Sequence, residues 1–484
     1  MHRKEIAIIG HFLGGILLVM AACMAVPMLV EAQYHNADNV RAFFICMLGT
    51  LFVGGLLYFS NRQPVAYISV HQCFLLLTLC WLSAGVAGAM PLYLTDARLD
   101  LTEAVFEGIA GITTTSATVM EDLQGHSRGV LLWRSMLQMI GGAGAIILGV
   151  IFLPMMHIGG MQHFRTGSPD ISAKTLPRAR SQVQGIIIIY IVLNLAGFLA
   201  YHGAGMSWFD ALNHAMTSIS TGGFSTYDAS LGAYTTPAIH WIAALLMILG
   251  ACPFVLYLRA VARNSPQLFT DTQVRTFITL VLAFTALLTV WLCLTRDAGI
   301  AEALRLSALT ITSTLTTTGY VIDNSLYWGG FSAMLILFLG YLGGCAGATA
   351  GGLKMMRVQI LAIHGTMQLK QLIHPHGAFT AKYKGNPLPH KIMLAVLVFT
   401  SIYVMTNTVL TMLLCLTGLE FQQALSASAS AVANLGPVIG TDNPAAFYTN
   451  LPASAELLLS LGMVAGRLEI VTLLMVFHPA YWRD

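Results

Sequence analysis

What this chain has least of is charge. Only 9% of its 484 residues are Asp, Glu, Lys or Arg, where a soluble domain carries roughly 25%. So few charges cannot coat a water-facing surface. With 56% hydrophobic residues and a mean hydropathy of +0.73, the composition is that of a polytopic membrane protein. Paired cysteines are missing as well: the eight cysteines stand singly in apolar stretches (Cys23, Cys46, Cys73, Cys80, Cys252, Cys293, Cys345, Cys415) with no CxxC. That argues against a disulfide framework and a zinc site and leaves them as small apolar packers. There is no HExxH and no cluster of reactive side chains, so an intramembrane enzyme is not expected. His374-Pro375-His376 reads as a short polar turn rather than a metal site.

What the chain does have is a Thr/Ser/Gly-rich stretch in four copies, at Gly111–Thr118, Thr217–Phe224, Ile311–Tyr320 and Ala431–Pro437. Their spacing of roughly a hundred residues marks a repeated unit. Each copy lies between long apolar runs and follows a short helical pattern such as Trp208–Met216. A helix that stops partway, a turn back and a second helix make a pore loop. Non-helical peptide groups at membrane depth are tolerated only where they are buried in protein or line water. Four such segments around one axis present rings of carbonyl oxygens, which replace the hydration shell of a small cation. The C-terminal end of each half-helix adds partial negative charge there, Gly permits φ > 0 at the turn, and Thr and Ser add hydroxyls. Close helix packing explains any one stretch as well; four in matching places fit the pore loop better.

Taken in order, Met1–Glu5 leads into an apolar run, Ile6–Val30, long enough to span and read as a retained helix rather than a signal peptide. A second span near 40–59 completes an N-terminal two-helix unit, 1–66. Four pore repeats follow at 67–160, 161–263, 264–372 and 373–484. Their spans are expected at 69–90 and 130–156, 185–202 and 239–258, 274–294 and 326–340, and 392–416 and 455–477. The expected fold is an all-α polytopic membrane protein, with four M1-P-M2 pore-loop repeats around a single pore plus an N-terminal helix pair.

Charge tests this topology independently. Of the 24 Lys and Arg, 17 fall on the side of the termini, which places both termini in the cytoplasm. Of the 21 acidic residues, 16 fall on the outer face. A negative vestibule concentrates cations at a pore mouth; its candidates are Glu103, Glu107, Asp122, Asp210, Asp228, Glu302, Asp323 and Glu420, against the plainer role of solvating the surface. Basic loops at 163–182, 259–275 and 370–391 suit either a soluble partner or anionic lipid.

Two further features concern the inner half. Leu339–Lys354 holds six glycines (Gly340, Gly343, Gly344, Gly347, Gly351, Gly352), each costing about 1 kcal/mol of helix propensity relative to Ala. The helix should break there, and a broken segment below the four loops is a candidate movable gate, with a glycine-faced packed helix as the alternative. Arg467 stands about ten residues from either end of 457–477, ~15 Å from each interface. It is too deep to snorkel easily and is expected to face the pore or to pair with Glu469 or gate carbonyls.

At these residues the chain resembles the Trk/Ktr/HKT superfamily of potassium transporters, and within it the bacterial Trk-type transmembrane subunit. The resemblance covers the whole chain: the N-terminal pair, the four loops, Gly343–Lys354, Gly466-Arg467-Leu468-Glu469 and the closing Tyr481-Trp482-Arg483. It implies K+ uptake across the plasma (bacterial inner) membrane, with K+ as the transported ion and no organic cofactor or nucleic acid bound by this chain. By position, the K+ filter falls to Thr114, Thr115 and Ser116, to Ser220, Thr221 and Gly222, to Thr317, Thr318 and Gly319, and to Asn434, Leu435 and Gly436. The implied gate is the loop at 340–352, with Gly343, Gly344, Gly347, Gly351 and Gly352, opposed by Arg467. A homodimer, gated by a cytoplasmic Rossmann-type nucleotide-binding subunit, is also implied.

Two positions depart from the family pattern, and the first matters more. The usual first-loop glycine is Ser116 here, and Val438 stands in the fourth loop where glycine is frequent. Ser resists φ > 0 more than Gly, and serine at this place goes with Na+ permeation in the family's plant branch. The resemblance thus implies weaker discrimination of K+ from Na+. A Na+-permeable protein or Na+/K+ carrier with coupled transport is the alternative. A carrier of inverted repeats would also have broken helices near midplane, but its repeats alternate in orientation, whereas these four all enter from the outside.

Overall fold

The computed structural model describes residues 3–62, 69–152, 156, 160, 176–263, 267–296, 299–322, 328–438 and 447–482. Asp323, Arg483 and the 163–175 part of the first basic loop lie outside the described residues. The chain opens with two long apolar helices, α1 (Arg3–Gln33) and α2 (Ala37–Ser60). The first repeat follows as α3 (Val70–Leu94), α4 (Leu101–Ile112) and α5 (Arg128–Ile147). The second is α6 (Leu176–Gly203), α7 (Trp208–Ile219), α8 (Pro237–Gly250) and α9 (Phe254–Arg263). The third is α10 (Thr272–Thr295), α11 (Ile300–Leu315), α12 (Gly330–Leu342) and α13 (Met355–Ile373). The fourth is α14 (His390–Leu416), α15 (Phe421–Ala433), α16 (Ala453–Arg467) and α17 (Val471–Phe477). Each repeat is thus an outer helix, a short pore helix (α4, α7, α11 or α15) and an inner helix.

Capping chemistry sets where the first elements begin. Ser69 with Gln72, and Asp100 with Glu103, form reciprocal capping boxes at the starts of α3 and α4. The Asp100 carboxyl, in the connection ahead of the pore helix, is held below its ordinary value chiefly by the Glu103 N–H it accepts. The N-terminal hairpin packs backbone to backbone: a Cβ on Gly14 would lie 2.7 Å from Gly54 O. Its other end is pinned to the first repeat, because buried Glu31 accepts the Gly129 N–H at the start of α5. Asn39 donates to Asp96 Oδ1 at 2.9 Å and to Ser127 Oγ at 2.8 Å.

Among the described residues seven helices are long and apolar enough to cross a membrane, or nine if each of two bent pairs is one span. The third inner helix, α12, has only 13 residues, fewer than the roughly 20 a crossing needs, and gives way to the non-helical segment 343–354. The sequence predicts unbroken inner helices in the other three repeats, and there the structure differs. The first passes into a π-turn at Leu148–Phe152, the second bends by 88° between α8 and α9, and the fourth by 113° between α16 and α17. Pro253, with no N–H to give, stands at the second break. At the fourth, Glu469 and Ile470 both take positive φ, 59° and 47°.

Candidate functional site

All four pore helices end in the same turn. The N–H groups of Thr115, Gly222, Thr318 and Leu435 reach back to the carbonyls of Ala110, Thr217, Ser313 and Ser430 at 2.8–2.9 Å. The residue before each bonds three positions back, at 3.1–3.2 Å. This is the Schellman motif. Its left-handed position is filled by Thr114, Thr221, Thr317 and Asn434, at φ 55°, 50°, 53° and 56°. Left-handed threonine is an outlier, strained by about 1–3 kcal/mol per residue.

The shared turn corrects the register of one loop. Its correspondence is Thr114-Thr115-Ser116, Thr221-Gly222-Gly223, Thr317-Thr318-Gly319 and Asn434-Leu435-Gly436. Ser220 therefore does not begin the second set; it is the right-handed C-cap of α7, and the third residue is Gly223 rather than Gly222. Two adjacent glycines had left that register open in the sequence.

The third residues of the four loops meet. A Cβ on Gly436 would lie 2.4 Å from Ser116 Cβ, one on Gly319 2.6 Å from the same atom, and one on Gly223 1.9 Å from Thr318 O. No side chain fits at those three positions, and all three take positive φ. Ser116 does not. Its hydroxyl donates to Gly223 O at 3.0 Å and lies 3.4 Å from Gly319 O. Two carbonyls of neighbouring loops are thus turned towards a serine hydroxyl, while Gly222 O accepts from Gln138 Nε2 at 2.8 Å.

Polar side chains on α5 hold this cluster from behind. Gln138 also accepts the Phe224 N–H at 3.0 Å, bridging the second loop. Arg134, four residues earlier, pairs with Glu107 at 2.7 Å, both fully buried, and donates to Thr118 Oγ1 and Ser225 O. Glu107 in turn accepts from Thr118 Oγ1 and the Val119 N–H. Glu107 is therefore no vestibule acid. Asp210 is not one either: it is buried and accepts from Thr226 at 2.7 Å and from Ser207 at 2.7 Å. Of the other candidates, Asp122, Asp228, Glu302 and Glu420 are exposed and Glu103 is half-buried. Sequence reading passed over Arg134 and Gln138, although two polar residues one turn apart in an apolar helix were a usable signal. Gly125-His126-Ser127-Arg128-Gly129 has the spacing of a serine nucleophile elbow, but Ser127 caps α5, donates to Asp96 and follows a single 3₁₀ turn rather than a strand.

Beneath the loops lies the segment 343–354. It is pinned into the break of the second inner helix: Cys345 N–H donates to Ala251 O at 3.0 Å, Thr349 N–H to Gly250 O at 3.2 Å, and Phe254 N–H to Gly347 O at 3.1 Å. Its two legs cross so closely that a Cβ on Gly343 would lie 2.2 Å from Gly351 O, and one on Gly344 2.6 Å from Ala350 Cβ. Gly343, Gly347 and Gly352 take positive φ. Arg467 ends α16 at its bend rather than sitting mid-helix, and donates to Thr349 O at 2.8 Å. Glu469 pairs with Arg357, not with Arg467. A cavity of about 20 Å³ is lined by Gly351, Gly352, Lys354, Asn434, Arg467 and Glu469. Asn434 Oδ1, Glu469 Oε1 and Arg467 Nε and Nη2 are buried there without a hydrogen-bond partner among the described residues, a setting with room and polar groups for one water. No group of three or more His, Cys, Asp or Glu that could hold a metal occurs among the described residues.

Four re-entrant loops meeting on one axis above a broken-backed segment, inside an apolar helical bundle, define a multi-pass membrane protein of the pore-loop class. A family model described as TrkH, cation transport protein, matches residues 39–483, and the chain belongs to that family. It is 38% identical to the Trk system potassium uptake protein TrkI of Halomonas elongata over 96% of this chain and 95% of that one. It is 33% identical to TrkH of Escherichia coli K12 over the full length of both. Its fold matches the crystal structure of the potassium transporter TrkH from Vibrio parahaemolyticus with a TM-score of 0.92, at 32% identity and full coverage of both chains.

The buried Arg134–Glu107 pair yields a prediction. Arg134→Leu strands a buried carboxylate and is expected to destabilise the fold by about 3–5 kcal/mol, read as a fall in thermal unfolding temperature in detergent. Glu107→Met with Arg134→Leu should recover most of that loss, since no charge remains unpaired. Equal destabilisation by the single and double changes would show that the pair is not the brace.

Proposed function

We propose that this chain is the pore-forming subunit of a K+ uptake system in the plasma (bacterial inner) membrane. The observation that carries the reading is the fourfold Schellman turn, which brings four loops to one axis with backbone oxygens at the meeting point. A dehydrated cation is held by such oxygens. The distribution of Lys and Arg supports a cytoplasmic location for both termini, so the pore helices enter from the outside. The segment 340–352 is the gate. Arg467, Lys354 and Arg357 set positive charge beside the carboxylate of Glu469 below the loops, an electrostatic barrier to a cation while the segment stays in place.

Control comes from a cytoplasmic Rossmann-type nucleotide-binding subunit acting on a homodimer of this chain. The basic loops 259–275 and 370–391 suit its docking, and the end of α13 exposes Leu369, Leu372 and Ile373 beside a groove of about 560 Å³ lined by Thr366, Lys370 and Phe379. Ser116 favours a second reading of the ion. Its hydroxyl competes with the ion for Gly223 O and Gly319 O, which lowers discrimination of K+ from Na+ and is compatible with Na+ permeation or coupled Na+/K+ transport.

Expression of the chain should restore growth at low K+ to a strain lacking its own K+ uptake; no rescue, with the protein present in the membrane, would overturn the reading. Ser116→Gly should raise the Rb+ to Na+ uptake ratio several-fold, and an unchanged ratio would remove the role given to the hydroxyl. Arg467→Ala should raise uptake measured without the partner subunit, and indifference to the change would remove the barrier.

A further inference from the structure

We infer that the filter and the segment beneath it are latched together through the hydroxyls of the left-handed threonines, Thr317 above all and Thr221 beside it. This rests on the reading of 340–352 as the gate and adds what holds it shut. Thr317 Oγ1 accepts the Gly351 N–H at 2.7 Å, and the Thr221 hydroxyl shares its one proton between Ser220 O at 2.8 Å and Thr349 Oγ1 at 3.1 Å. Thr349 passes its own hydroxyl proton to Gly250 O at 2.9 Å or Ile219 O at 3.1 Å, the latter a terminal carbonyl of α7. In the fourth quadrant the Gly352 N–H caps the end of α15 through Ala433 O at 3.1 Å. Among the described residues the first quadrant contributes no such bond; Thr114 packs its methyl beside Gly141.

The chemistry explains an otherwise costly choice of residue. The left-handed position of a Schellman turn is where glycine is unstrained, yet Thr occupies it in three of the four turns. At two of them a hydroxyl faces the loop below, and a glycine would leave the buried Gly351 N–H without an acceptor. Leaving the site strands that N–H unless water follows, so the segment moves only when the cavity floods. Once it has moved, the lone pairs of Thr317 and Thr221 face an aqueous space directly under the carbonyl cluster. Opening the gate thereby hands two oxygens from the loop to the ion, and the threonines act as positioning residues for both states.

The test uses the purified full chain in liposomes, without a partner subunit, and reads the rate at which a small methanethiosulfonate modifies buried, free Cys345, located by peptide mass spectrometry. Thr317→Val keeps the branched shape and removes the acceptor, and should raise the rate about fivefold, the worth of one net hydrogen bond. Thr317→Ser should stay near wild type, and Thr221→Val should raise the rate independently should the first variant fold poorly. Rb+ flux after deletion of residues 345–350 separates the two readings. An unchanged Cys345 rate in both Val variants, with a deletion that raises flux, overturns the latch and leaves the gate standing. A deletion that leaves flux at the wild-type level removes the gate, and the latch with it.

Discussion

Peptide groups released inside a membrane must find partners within the protein, and every break in the inner helices raises that demand. Here the breaks answer one another. The carbonyls of Gly250 and Ala251, freed where α8 ends, accept from Thr349 and Cys345, while the Phe254 N–H on the far side of the same break returns to Gly347 O. Within the segment, Leu353 N–H bonds to Tyr341 O and Met355 N–H to Gly344 O. The breaks in the second and third repeats are thereby fixed at one depth, and Arg467 brings the fourth to the same level through Thr349 O. A helix bundle with only one break would leave these groups bare, so the interruptions stand or fall as a set.

The upper half obeys the same rule with different partners. Loop backbone after the turn is satisfied by side chains: Val119 N–H by Glu107, Phe224 N–H by Gln138, Gly436 N–H by Ser430. A buried Arg–Glu pair adds little net stability against an apolar pair of similar shape. What it supplies is direction, because a guanidinium fork and a carboxylate bond several groups at fixed angles. The loop oxygens are thereby held in fixed places around the axis.

Much of this was legible in the sequence because it depends on local composition. The four polar stretches, the helices flanking them and the glycine run at 343–352 each carry their own signal in residue type. The register of the second loop was not legible, since Gly222-Gly223 offers two equivalent turning points and only the hydrogen bond from Gly222 N to Thr217 O chooses between them. Nor were the breaks at 251–253 and 468–470: Pro253 alone does not foretell the first, whose freed carbonyls find partners on a loop distant in sequence, and the second is closed by local bonds with Arg467 turned to Thr349 O. Acidic residues misled for a related reason. Glu107 and Asp210 read as surface charge, and only the fold brings Arg134 to one and Thr226 to the other.

The four turns around the axis come from one polypeptide and are not copies. Three carry Thr and one Asn at the left-handed position, and one of four innermost residues is serine. In a pore assembled from identical subunits any substitution appears in every quadrant at once, so small changes of size are multiplied. Here a single codon alters one wall and leaves three untouched. Such an axis is open to gradual evolutionary adjustment, one side at a time, and each side is free to take on a separate duty.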